Sequence, residues 1–131
     1  MKEQNNIVEA IFNAECALIE LAAQTGKIKD PAVTISDLPA FKKKTQHLYH
    51  VAADLISKAY YTIYGAYHNY RMSDPAFDEK LASYAWAVDG ILNRQLHHTI
   101  EKGKLDRDLM QQLRDYKILL IKAPLEVTVN V

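Results

Sequence analysis

From Pro39 to Pro75 the chain contains no further proline and a single glycine, Gly65, so nothing compels this stretch to leave a helical path. Apolar residues recur through it at steps of three and four, which predicts a helix over about residues 38–70. Asp37 can accept its free backbone N–H groups, and Pro39 falls in the first turn, where a missing N–H costs nothing. A helix of about 33 residues is about 50 Å long. The other periodic segments are shorter, so this helix overhangs its neighbours or bends.

The same helix carries two apolar rows at heptad spacing, offset by one residue. One is Phe41, Thr45, Leu48, Ala52, Leu55, Ala59, Thr62 and Ala66; the other is Tyr49, Ala53, Ile56, Tyr60, Ile63, Tyr67 and Tyr70. Two adjacent rows widen the apolar arc beyond what one neighbouring helix covers. Another helix of the chain, a second subunit or a stacked ligand could cover the tyrosine side. As a partner-binding face, that side comprises Tyr49, Tyr60, Ile63, Tyr67 and Tyr70.

Three further helices follow from the same logic. Over about residues 4–25, Ile7, Ile11, Ala14, Leu18 and Leu21 form an apolar row, with Glu9, Asn13, Glu20 and Gln24 opposite and Gly26 as the terminating cap. Cys16 lies one residue beyond that row and is expected to be a small buried hydrophobe. Ser73-Asp74-Pro75 reads as a cap that opens a helix reaching Lys102, which Gly103 stops. Asp106 caps the last helix, with Leu105 and Met110 placed as a hydrophobic staple, and Ala123-Pro124 closes it after Lys122.

Residues 31–36 and 125–131 alternate and are rich in β-branched side chains. They are expected to pair as a small ribbon, to pair between chains, or to leave the second piece unstructured. The expected architecture is all-α: an antiparallel four-helix bundle in one domain over residues 1–131, with one over-long helix and the ribbon as an optional addition.

Charge and composition exclude several functional classes. Sixteen basic residues balance sixteen acidic ones, against a binder of nucleic acid that relies on bulk charge and against a polybasic membrane anchor. Successive segments alternate in sign of net charge, so each helix suits the one before it. No apolar run is long enough to span a bilayer, and the lone Cys16 cannot form an internal disulfide. A cytoplasmic setting without membrane association is the expectation.

Candidate chemistry is sparse. His47, His50 and Asp54 share one helix face at a spacing that could hold a divalent metal, although bundle metal sites normally draw ligands from several helices. A solvated polar face explains them better, and no cofactor is expected. Arg94 and His98 share a face four residues apart and could bind phosphate or act as acid and base, while the helix dipole alone accounts for histidines near a C-terminus. Lys42, Lys43 and Lys44, together with Arg71, could contact nucleic-acid phosphates. The tract Lys58-Ala59-Tyr60-Tyr61-Thr62-Ile63-Tyr64 faintly resembles a helix of HEPN-type RNases, but Arg94 and His98 stand closer together than that family's Arg and His, and no family is assigned. The leading expectation is a non-enzymatic helical interaction protein, an adaptor, inhibitor or regulatory subunit that forms a homodimer and binds a protein partner. A nucleic-acid-associated helical protein and a small metal- or phosphate-dependent enzyme are the alternatives.

Overall fold

A computed structural model describes residues 2–29, 38–73 and 80–121, and these form four α-helices packed against one another: α1 (Lys2–Lys29), α2 (Leu38–Ser73), α3 (Lys80–Lys102) and α4 (Arg107–Ile121). The segments expected to pair as a ribbon, 31–36 and 125–131, lie outside the described residues. So does Pro75. Ser73, expected to cap the third helix, is instead the last residue of α2.

α1 packs most extensively on α2 and α4 on α3, and α1 also touches α3 and α4. Gln95 of α3 bonds to Asp106 at the start of α4, so these two helices run antiparallel. The Lys117 ammonium on α4 donates to the Glu15 carboxylate on α1 at 2.7 Å, while Ile19 and Met110 line the same cleft. Ascending residues of α1 therefore meet descending residues of α4, which is the up-and-down arrangement of a four-helix bundle.

The core follows the α1 row foreseen above: Ile7, Ile11, Ala14, Leu18 and Leu21 are all buried. From α3 come Ala85, Val88, Ile91, Leu92 and Leu96, and from α4 Leu113 and Leu120. In α2 the buried row is Ala52, Ile56, Ala59, Ile63 and Ala66. It takes alternate members from both heptad rows, because an ideal helix drifts about 20° per heptad against a strict seven-residue repeat. The remaining described apolar members of the two rows, Leu48 and Leu55 on one side and Tyr49, Ala53 and Tyr60 on the other, pack half-buried at the margins of the core.

Three α1 assignments change. The helix continues through Gly26 to Lys29. Gly26 suits this position for a different reason: a Cβ there would stand 3.1 Å from the Gly103 carbonyl oxygen, tighter than most side-chain contacts, so the two backbones lie close together. Gln24, placed on the outer face by periodicity, is buried, and Cys16 is exposed instead of packed.

Where α3 ends the structure agrees with the sequence. Gly103 adopts φ 70°, and its N–H donates to the Thr99 carbonyl at 2.9 Å, the left-handed closure that glycine tolerates best. Asp106 then caps α4 by accepting the Leu109 N–H at 2.9 Å. Between these two caps the buried Gln95 side chain makes a reciprocal pair of bonds with the Asp106 backbone. Its Nε2 donates to the carbonyl at 2.9 Å and its Oε1 accepts the N–H at 2.8 Å.

Candidate interaction face

α2 presents Tyr60, Tyr61 and Tyr64 near the level where α3 presents Trp86. Tyr60, at the margin of the core, is the hub. Its ring centre lies 5.3 Å from that of Tyr61, 6.0 Å from that of Tyr64 in a stacked arrangement, and 5.3 Å from that of Trp86 across the helix boundary. Outward from this hub the rings meet solvent: Tyr61 is 69% exposed, Trp86 64% and Tyr64 43%. Large aromatic side chains left in water on adjoining helices form the kind of apolar patch that monomeric surfaces seldom carry without a use.

The face has a charged edge. Asp89, one turn along α3 from Trp86, is partly buried, and desolvation raises its carboxyl above the ordinary value; a hydrogen bond with Asn93 works in the opposite direction. Desolvation also raises the Tyr60 phenol, with Tyr64, Asp89 and Tyr61 adding to the effect. A raised folded-state pKa means that the folded chain holds the Asp89 proton more tightly than the unfolded chain does. The stability associated with that proton is present below the ordinary carboxylate range and is lost as pH rises through the raised value. Asp89→Asn is therefore expected to raise the melting temperature of dilute protein at neutral pH, with the gain shrinking in acidic buffer. A variant that melts lower at neutral pH would contradict this.

The sequence-derived residues divide clearly. Tyr49 and Tyr60 are half-buried, and Tyr49 sets its ring edge-on to His50 at 5.7 Å. Ile63 is wholly buried within the chain's own core, so it has no surface to offer a partner, and this corrects its assignment to the binding face. The side chains of Tyr67, Tyr70 and Arg71 lie outside the described residues. Tyr61, Tyr64 and Trp86 were missed. The two tyrosines sit beside the second heptad row, and Trp86 falls off the α3 core row of Ala85, Val88 and Leu92; both signals were present as exceptions to the period.

The polar candidates do not converge. His47, His50 and Asp54 are all exposed on one helix, and among the described residues no three His, Cys, Asp or Glu side chains gather around a point that could hold a metal. Arg94 folds onto its own helix, Nε donating to the Gly90 carbonyl at 3.2 Å, whereas His98 turns toward the α4 cap, with Nδ1 4.0 Å from the Asp106 carboxylate. The two side chains are held by different partners. Lys42, Lys43 and Lys44 are exposed in the first turns of α2. The cleft between α1, α3 and α4, lined by Ile19, Leu105, Met110 and Leu113 among others, has a volume of about 30 Å³, room for water but well short of a small-molecule site.

Fold and surface together define a four-helix bundle with a solvent-facing aromatic cluster on one helix pair. Comparison with known proteins returns no match: no family model fits the chain, and neither a curated protein nor a solved structure is significantly similar to it. Among the described residues no helix is long and apolar enough to cross a membrane.

Proposed function

We propose that this chain is a non-enzymatic helical interaction protein, an adaptor, inhibitor or regulatory subunit of the cytoplasm, that engages a protein partner through the Tyr60–Tyr61–Tyr64–Trp86 face. The observation that supports this reading is the exposure of three of those four rings. Covering them recovers about 25 cal/mol for each Å² of apolar surface removed from water, and Tyr and Trp are the residues that most often dominate such interfaces. Tyr60 supports the others from below. Its position at the edge of the core makes the cluster a pre-formed platform that loses little side-chain freedom on docking.

A photo-crosslinking amino acid placed at Tyr61 or Trp86, and at Lys43 as a control, tests this in cells of the native host. Protein adducts from the two aromatic positions and none from Lys43 are expected. Nuclease-sensitive adducts, or adducts from Lys43 alone, would overturn the reading in favour of nucleic acid bound at the basic start of α2.

A further inference from the structure

We infer that the partner docks an arginine on this face, setting its guanidinium against the Trp86 and Tyr60 rings and pairing it with the Asp89 carboxylate, a specification that rests on the protein-interaction reading given above.

Tyr60 and Trp86 stand with ring centres 5.3 Å apart across the boundary between α2 and α3, and Trp86 is 64% exposed, so much of the indole is open to an arriving group. Asp89 follows Trp86 by three residues, a spacing that makes the two side chains neighbours on the surface of α3. After desolvation and Tyr64, the charge of Asp89 helps to hold the Tyr60 phenol proton, so the carboxylate stands close to that ring as well. An aromatic ring attracts a cation through its quadrupole, and an adjoining carboxylate adds a full opposite charge. Rings and acid together thus favour a cation over an anion or a neutral group.

The chain does not supply that cation itself. Asp89 is partly buried, and its carboxylate forms no ion pair among the described residues. Its neighbour Asn93, an uncharged amide, donates Nδ2 to the Asp89 main-chain carbonyl at 2.9 Å. The basic residues nearest in sequence are turned elsewhere. Arg94 donates Nε to the Gly90 carbonyl of its own helix at 3.2 Å, and Lys58, two residues before Tyr60, lines the cleft of α2 against α1 with Asn6 and Glu9. A carboxylate that has lost part of its water without gaining a counter-charge weakens the fold, which is the basis of the stabilisation expected above for Asp89→Asn. A cation brought by a partner relieves that penalty in the complex.

Of the two basic side chains, arginine suits this corner. Its planar guanidinium stacks on aromatic faces and presents a fork of N–H donors that matches a carboxylate, whereas lysine brings a compact, strongly hydrated ammonium. Arginine is also enriched, with Tyr and Trp, where proteins meet.

The probes are N-acetyl-arginine amide and N-acetyl-citrulline amide, in which an uncharged urea of similar outline replaces the guanidinium. Each is titrated at matched ionic strength while the emission of Trp86 is followed. The arginine amide is expected to give a saturable change at a concentration about tenfold or more below that needed for citrulline, with the lysine amide between them. Asp89→Asn, expected to melt no lower than the wild type, should weaken the arginine response about tenfold and leave the citrulline response unchanged. Equal responses to arginine and citrulline, or undiminished arginine binding by Asp89→Asn, would refute the cation. The interaction reading fails independently of this. Protein adducts at Tyr61 that persist undiminished in an Asp89→Asn background uphold a protein partner and remove the arginine, whereas selective arginine binding without protein adducts in the host keeps the cation site and removes the protein partner. Adducts of twice the chain mass that Asp89→Asn diminishes would make a second copy the donor of the arginine.

Discussion

Ile63→Ala is expected to destabilise the fold by about 2–5 kcal/mol, whereas Tyr61→Ala, two residues away on the same helix, should change it by no more than about 0.5 kcal/mol. Ile63 is completely enclosed among residues of the bundle core, so truncation removes buried methyl and methylene groups and leaves a cavity that close-packed neighbours fill only in part. Tyr61 is mostly in solvent, and its removal takes away little that folding had buried. Chemical denaturation of both variants at a concentration favouring single chains reads the contrast as a shift of midpoint at unchanged slope. Comparable losses for the two would mean that the aromatic row is part of the folded core and would dismantle the proposed face. This comparison also separates the two ways a row of large apolar residues on a helix can be used.

The second large effect is expected at Gln95. Replacing it by Leu removes both bonds to the Asp106 backbone. The Asp106 carbonyl retains the Met110 N–H as a donor at 3.1 Å, but its N–H loses its acceptor. A partly buried donor left without a partner costs about 1–3 kcal/mol. Gln95→Glu adds a pH signature. The carboxylate keeps the acceptor but loses the donor to the Asp106 carbonyl, and burial favours its protonated form, so the variant's stability should fall as pH rises through the raised carboxyl value. If Gln95→Leu is neutral, or Gln95→Glu is insensitive to pH, the side chain is not the clamp that joins α3 to α4.

What the chain discloses by itself depends on how far away the cause of each feature lies. The α1 core row, the stop at Gly103 and the cap at Asp106 are each decided within one or two helical turns, and all three were legible. Gly26 was misread because its reason sits at Gly103, far along the chain, and glycine in a sequence announces only that something excludes a side chain. Gln24 and Cys16 exchanged burial against expectation since a helix with neighbours on several sides buries more than one row, and periodicity alone does not say which flank is covered. In α2 the two heptad rows were recognised, but the core runs between them, and that shift turned Ile63 inward and left Tyr61 and Tyr64 outside. The over-long helix itself was plain, ending at Ser73 instead of near residue 70. The aromatic cluster was half legible: its α2 side followed from composition, but its union with Trp86 depends on the register of α2 against α3, a tertiary property with no local signal.

Trp86 is the only tryptophan in the chain, it lies largely in water, and Tyr60 stands 5.3 Å from it with Tyr61 and Tyr64 close behind. Its indole is thus the sole long-wavelength ultraviolet emitter of the molecule, placed on the surface where an occupant would arrive and fed with excitation by the tyrosines around it. Docking transfers the indole from a polar to an apolar setting, so its emission should move to the blue as the face is covered. The unlabelled protein therefore carries its own optical gauge of occupancy, readable in dilute solution while concentration, salt or a competing surface is varied.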